Sequence, residues 1–278
     1  MRRSAALWVI ILSALFASGV AAWVQTQRPG SDGGLVPLAW ETSCYYYSIH
    51  EAGSDDVDME NLRQLVRASF DAWQNTPGTY FEFIETDLAQ VDEIGLNTDR
   101  GNVNLLIWRE QESDWPTSKS VTALTTTSYS QTDGAILDSD IELNGAYTQF
   151  GDSDSYPDDT TVMDLRGTIT HEIGHSIGLD HSQDPTATMS ASSPPGETQK
   201  RTLEQDDIDG LCTIYPLAND PDVCKEPLCG LDLKGETTTC KDTTPPPDSC
   251  ACSLPGQPHP FKRNLLRLLL KKGVWHLF

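Results

Sequence analysis

The sequence predicts an α+β fold, because segments with helical spacing and segments typical of strands are interspersed along one chain of 278 residues. Residues 59–73 place Leu62, Val66 and Trp73 on one helical face, and Pro77 with Gly78 follows as a terminating pair. Four further runs are rich in β-branched, aromatic and other apolar residues. These predicted strands are 80–84, 103–108, 121–129 and 136–143.

Two more helices are predicted in the second half of the chain. Residues 162–177 carry apolar side chains at helical spacing, and Asp158, Asp159 and Thr160 suit the N-terminus of a helix, where carboxylates complement the dipole. The last helix covers 203–214. Beyond Pro216 the chain becomes rich in Cys and Pro, so we place a domain boundary there.

Composition excludes several classes of protein. Hydrophobic residues make up 38% and charged residues 22% of the chain, so it is not a protein with many membrane spans. Seven Trp, eight Tyr and seven Phe can build a core, which excludes a wholly disordered chain. The 41 acidic residues outnumber the 19 basic ones, giving a formal net charge of −22, and this argues against nucleic acid as a partner.

The N-terminus indicates export. Arg2 and Arg3 precede an apolar stretch at 7–16, and Val20-Ala21-Ala22 offers small residues for cleavage, so 1–22 is predicted to be a signal peptide. The alternative is an uncleaved anchor, for which the stretch is short. Seven cysteines fit an oxidising, extracellular compartment and structural disulfides, although their pairing cannot be deduced from spacing and one thiol is left over.

The remaining chain divides into four predicted parts. Residues 23–39 contain Gly and Pro and are expected to be a linker, 40–216 form the main domain, and 217–260 form a small Cys- and Pro-rich segment. In 261–278, Arg263, Arg267 and Lys271 share one helical face.

Three interpretations of that tail remain open. A cationic amphipathic helix could lie on an anionic membrane and attach the protein to a cell surface. The alternatives are a removable sorting tail or an unstructured C-terminus. The order Cys250-Ala251-Cys252 before a basic, apolar end vaguely resembles bacterial surface-sorting signals.

The most informative segment runs from His171 to His181. His171 and His175 are one helical turn apart, so their imidazoles project from one face and can bind one Zn²⁺. Gly178 tolerates a positive φ, so the helix can end there and His181 can approach from the following loop as a third ligand. Three neutral imidazoles leave a fourth tetrahedral position for water, as in catalytic zinc sites.

Glu172 follows the first histidine and lies about 100° around the helix from it. Its carboxylate can therefore act on the water rather than on the metal, first taking a proton and then passing it to a leaving amine. These parts suffice for peptide hydrolysis. The alternative is a polar helix whose histidines are satisfied in the core, but packing gives no reason for three histidines at these offsets.

The pattern HExxHxxGxxH resembles the mark of the metzincin zinc peptidases, and Ser182 directly after the third histidine makes it similar to the matrixins in particular. Thr188-Met189-Ser190 lies where metzincins place the Met-turn, and 203–210 with Tyr215 resembles the helix that closes a matrixin domain. Residues 138–144 resemble a matrixin strand at whose edge the substrate backbone is held. The resemblance covers 40–216.

This resemblance implies a twisted, mostly parallel sheet with a zinc-binding helix beneath an active-site cleft, and a secreted zinc endopeptidase acting on proteins or peptides. It implies that Met189 forms a hydrophobic floor under the zinc. Ser190 and Ala191 replace the aromatic residue and proline that usually wall the S1′ pocket of matrixins. The cysteine-switch propeptide motif is missing, so we do not predict latency through a Cys–zinc bond. Only His50 is available for the additional structural zinc of matrixins, so we do not predict that site.

Three further interpretations compete for parts of the sequence. Asp133, Asp138, Asp140 and Glu142 could offer oxygen ligands to calcium, which matrixins bind near this strand, although acidic loops are usually only solvated. A non-catalytic metal- or surface-binding module could also retain a metzincin scaffold. A protein that acts on membranes through its basic tail is the third possibility.

Overall fold

The computed structural model describes residues 22–98, 102–156, 159–222 and 224, together with the backbone of residues 270–274. The predicted signal peptide lies outside these residues except for Ala22, and so does most of the segment 217–260. Within the described part of the chain, no helix is both long and apolar enough to cross a membrane.

Three α-helices and a set of strands make up the described fold. The helices are α1 (Met59–Gln74), α2 (Leu165–Ser176) and α3 (Gln205–Ile214). The strands are β1 (Val24–Gln25), β2 (Gln27–Pro29), β3 (Leu35–Pro37), β4 (Cys44–Ile49), β5 (Glu82–Glu85), β6 (Leu105–Trp108), β7 (Ala123–Ser130), β8 (Ile136–Leu143), β9 (Phe150–Gly151), β10 (Met163–Asp164), β11 (Leu179–Asp180) and β12 (Leu270–Val274).

The main sheet has the strand order β12-β7-β8-β6-β4-β5. Among β4 to β8, the pairs β4–β5, β4–β6 and β6–β8 are parallel and the hairpin β7–β8 is antiparallel, so the expected mostly parallel sheet of an α+β fold is confirmed. The predicted strands 80–84, 103–108, 121–129 and 136–143 match β5 to β8 within two residues at each end.

The position of the edge strand differs from the expectation. The strand that was expected to hold substrate corresponds to β8. It lies inside the sheet, between β7 and β6. The outer strand of the five is β7, because the β7–β8 hairpin folds the earlier strand to the outside. Any extended peptide that adds to this side of the five-stranded core must therefore pair with β7.

Helix α1 has the predicted position and packs one apolar stripe into the core. Asp58 caps it by accepting a hydrogen bond from the backbone N–H of Asn61. Phe70 stacks on Tyr47 of β4 with ring centroids 3.7 Å apart, and the Trp73 indole N–H donates to the carbonyl of Thr170 in α2 at 2.8 Å. These two contacts pack α1 against β4 and against α2, respectively.

The start of α2 differs from the prediction of a helix from residue 162. The N-cap is Asp164, whose carboxylate accepts a hydrogen bond from the N–H of Gly167 at 2.7 Å. Met163 and Asp164 instead pair with Phe150 and Gly151 of β9 in a parallel ladder. Residues that helical spacing assigned to the first turn of the helix therefore form a strand instead. Asp159 and Thr160 do not cap the helix, and Asp158 lies outside the described residues.

Residues 23–39, expected to be a linker, contain three short strands. β1 pairs with β11, and β2 pairs with β3. The backbone N–H groups of Ala22 and Trp23 donate to Asp206 of α3 at 2.8 and 2.9 Å. The segment is thus fastened to the main domain because its backbone groups find partners on β11 and α3.

The basic tail also differs from the expectation. Its residues 270–274 form β12, paired antiparallel with the outer edge of β7, and not an amphipathic helix. The outer edge of a strand carries unpaired N–H and C=O groups, which an added strand satisfies. This pairing gives no support to membrane attachment through those residues.

One disulfide joins Cys44 at the start of β4 to Cys224, in agreement with the expected structural disulfides. Cys212 on α3 is a free thiol, and the other cysteines lie outside the described residues. The disulfide fastens the chain that follows α3 back onto the sheet.

Candidate active site

The three predicted histidines converge in the folded chain. His171 and His175 lie on α2, and His181 follows β11. One ligand nitrogen from each ring lies within 4.8 Å of the other two, and the Nε2 atoms of His171 and His175 are 3.1 Å apart. Within the described part of the chain, this is a group of three side chains that could hold one metal ion.

Backbone carbonyls orient the two helical imidazoles. Nδ1 of His171 lies 2.7 Å from the carbonyl oxygen of Thr188, and Nδ1 of His175 lies 2.8 Å from that of Leu179. Because a carbonyl only accepts, each Nδ1 carries the proton and each Nε2 lone pair is left for a metal. Burial lowers the pKa of both rings well below the ordinary value, which favours the neutral form that binds metal.

Gly178 makes the turn that brings His181 back to the helix. Its φ is +92°, a left-handed conformation that favours glycine. A Cβ atom at this position would lie 2.4 Å from the carbonyl oxygen of Leu38, so the turn is also closely packed. The N–H of Gly178 donates to the carbonyl of His175, and β11 then leads directly to His181.

Glu172 is fully buried beside the histidines. The hydroxyl of Thr125 on β7 donates to its Oε2 at 2.5 Å and lies 3.2 Å from its backbone carbonyl oxygen. The other oxygen, Oε1, receives no hydrogen bond from the described residues. Burial raises the pKa of Glu172 to about 7, with the Thr125 hydrogen bond acting in the opposite direction.

Met189 packs against the middle of α2. A Cβ atom at Gly174 would lie 2.2 Å from the Met189 sulfur, so the thioether fills the space that this glycine leaves. Asp207 of α3 accepts hydrogen bonds from the N–H groups of Thr188 and Met189 at 2.8 and 3.0 Å. The turn that supports the histidines is therefore anchored to α3.

Three contributors to the site were missed by reasoning from the sequence: Thr125, Lys200 and Asp207. The Lys200 ammonium is buried, donates to the carbonyls of Thr188 and Ser190, and lies 3.1 Å from Nδ1 of His171. Burial lowers the pKa of Lys200 to about 8. No local signal in the sequence marks these residues, because each reaches the site from a distant element.

The suggested calcium ligands do not form one of the groups of three side chains that could hold a metal ion in the described part of the chain. Asp140 accepts hydrogen bonds from the N–H groups of Gly95 and Leu105, and Glu142 pairs with Arg109 at 2.6 Å. Asp133 is exposed on the turn before β8. The described residues hold one other potential cluster, Cys44, Glu82 and Cys224, but its two sulfurs form the disulfide.

The donor set of the histidine cluster fits zinc. Zinc prefers three or four nitrogen or sulfur ligands in tetrahedral arrangement, and three converging imidazoles, two of them with fixed tautomers, meet this preference. The buried Oε1 atom of Glu172 has no hydrogen-bond partner among the residues that the structure describes. This combination differs from a core histidine cluster, whose polar atoms are all paired.

Comparison with known proteins agrees with this geometry. The family model described as Matrixin matches residues 39–216. Metalloendoproteinase 1 of Glycine max is 50% identical over 56 residues, which cover 20% of this chain and 18% of that protein. Human neutrophil collagenase is 38% identical over 77 residues, 28% of this chain and 16% of that protein.

A longer alignment joins the chain to Metalloendoproteinase 1-MMP of Arabidopsis thaliana, with 24% identity over 177 residues, 63% of this chain and 44% of that protein. In each of these alignments the chain spans less than half the length of its relative. The family match, in contrast, covers strands β4 to β8, the histidine helix and α3 together. The chain therefore belongs to the matrixin family.

Proposed function

We propose that this chain is a secreted zinc endopeptidase that hydrolyses protein or peptide substrates. His171, His175 and His181 hold the zinc ion, Glu172 is the general base and acid, and Met189 and Gly178 support the site. The observation that carries the proposal is the convergence of three imidazoles within 4.8 Å beside a buried carboxylate with one unused oxygen. The matrixin family, whose members are zinc-dependent metallopeptidases, agrees with this chemistry.

The side chains of this site divide the work of hydrolysis. Zinc, when bound, lowers the pKa of a water molecule and polarises the substrate carbonyl. Glu172 takes a proton from the attacking water and delivers it to the leaving amide nitrogen. Thr125 holds Oε2, which leaves Oε1 to carry that proton. The carbonyls of Thr188 and Leu179 keep two imidazoles in the correct tautomer throughout.

The substrate backbone binds along β7 in this proposal. Thr125 of β7 contacts Glu172, so a strand added to the outer edge of β7 passes next to the catalytic carboxylate. Strand addition recognises the backbone of any extended peptide, whatever its sequence.

The proposed export of the protein is supported by the predicted signal peptide and by the disulfide. The net charge of −22 argues against nucleic acid as a partner.

The test uses Glu172→Gln, which keeps the size of the side chain and a hydrogen-bonding oxygen but removes the base. Purified protein should contain one zinc per chain and cut an unfolded protein. The variant should keep its zinc and lose cleavage, whereas Glu41→Gln, at an exposed position, should change neither. Unchanged cleavage by Glu172→Gln would end the proposal. Wild-type protein that binds zinc but cuts no substrate would instead support the alternative, a metal-binding module without catalysis.

A further inference from the structure

We propose that the outer edge of β7 is a docking site for the chain's own residues 270–274, and that this docked strand competes with substrate. The inference rests on the proposed function, because it concerns the edge along which substrate is proposed to bind. It assigns the basic tail a role in restraining the peptidase. The occupant is a named segment of this chain and its pairing is part of the structure.

The pairing is regular and covers most of β7. Five consecutive residues of β12 face five of β7 in antiparallel register, from Leu270 opposite Ser130 to Val274 opposite Thr126. The inner edge of β7 is already paired with β8. A strand has only two edges, so with β12 in place no second peptide can pair with residues 126–130.

The docked strand ends beside the catalytic carboxylate. Val274 lies opposite Thr126, and the next residue of β7 is Thr125, whose hydroxyl contacts Glu172 at 2.5 Å. Neighbouring strands in a sheet are about 4.8 Å apart. An extended peptide that approached Glu172 along β7 from the Ser130 end would thus need the same row of backbone groups that β12 occupies.

Charge complementarity gives a second, independent reason for docking. Residues 261–278 contain five basic and no acidic residues, whereas residues 23–260 contain 12 basic and 41 acidic ones. The tail is therefore attracted to the main domain at long range before any backbone pairing forms. Because it is covalently attached, its effective concentration at the edge exceeds that of most free peptides.

The experiment compares full-length proteins. Successive residues of a strand point their N–H groups to opposite sides, so in the double variant Lys271→Pro/Lys272→Pro one proline removes an N–H that faces β7. The matched control, Lys271→Ala/Lys272→Ala, removes the same two charges but keeps both N–H groups. KM and kcat are measured for a short peptide substrate, because a competing strand raises KM and leaves kcat unchanged.

A tail that occupies the edge for about nine-tenths of the time raises the apparent KM about tenfold. The proline variant should show that tenfold fall in KM at constant kcat, and the alanine variant should stay closer to wild type. A synthetic peptide of residues 261–278 should inhibit the proline variant competitively. An unchanged KM in the proline variant, or a peptide that does not inhibit it, overturns the competition.

Amide hydrogen exchange separates failure of this inference from failure of the proposed function. The backbone N–H groups of residues 126–130 that face β12 should be protected in wild type and exchange faster in the proline variant. Protected amides in a chain that cleaves nothing would reject the peptidase and keep the docked strand. An active chain whose amides exchange equally in all three proteins would reject the docking.

Discussion

Substituting Thr125 with Val tests whether a hydroxyl on the sheet orients the catalytic carboxylate. Valine has nearly the shape of threonine but removes the donor that lies 2.5 Å from Oε2 of Glu172. A hydrogen bond to a charged group contributes about 1.5–3 kcal/mol. If that contribution is made in the transition state, kcat falls about 10- to 150-fold, because 1.36 kcal/mol corresponds to a factor of ten.

The acidic side of the pH profile provides a second readout. Burial raises the pKa of Glu172 to about 7 and the Thr125 hydrogen bond lowers it, so removing the hydroxyl raises the pKa further. A general base must be deprotonated to act, so activity should be lost at higher pH in the variant than in wild type as the solution is acidified. If Thr125 had only a structural role, its substitution would not shift the acidic side of the pH profile.

The assay measures kcat, KM and zinc content for Thr125→Val, with two controls. Thr125→Ser keeps the hydroxyl and should recover most of the activity. Thr126→Val makes the same change at the next buried position, whose side chain points to the opposite face of the sheet. A kcat for Thr125→Val within twofold of wild type, with the pH profile unmoved, would refute the orienting role.

Three further outcomes are expected. Arg201→Met leaves the buried Asp164, whose side chain is 2% exposed, without its cation. Denaturant titration should show a free energy of unfolding lower by about 3–5 kcal/mol. Arg67→Gln, which removes a more exposed ion pair, should have a far smaller effect. Gly178→Ala should lower the free energy of unfolding by more than Gly33→Ala does. Both glycines have a positive φ, which costs alanine roughly 1–2 kcal/mol, but only Gly33 has open space around its Cβ position. A chelator should abolish cleavage and lower Tm, both restored by zinc, and an unchanged Tm would contradict metal binding to the native state.

The elements that the sequence predicted well are those with a strong local pattern. α1 was found within one residue because its apolar stripe and the Pro-Gly pair that follows it agree. The histidine cluster was predicted because i, i+4 spacing and a glycine turn are local properties of eleven consecutive residues. The start of α2 was misplaced, because pairing of β10 with β9 depends on residues more than ten positions away.

Long-range pairing also explains what the sequence could not show about the site. Thr125 and Glu172 are 47 residues apart, and one threonine in a run of three carries no local mark of its partner. The tail was predicted as a helix from its i, i+4 charges, but the open edge of β7 competes for its backbone groups. Periodicity describes a segment in isolation, whereas an unpaired sheet edge is a property of the assembled fold.

The ligand geometry depends on carboxylates that never touch the metal. His171 is oriented by the carbonyl of Thr188, and the N–H of the same residue is held by Asp207 at 2.8 Å. Asp164 caps the helix that carries His171 and His175, and is itself held by Arg201 at 2.9 Å. The helix that carries two of the ligands and the turn that orients His171 are thus each fixed by a buried acid through backbone groups before zinc arrives. Because orientation is supplied by the fold, zinc binding need not order the site, and loss of either acid should weaken binding without removing a ligand.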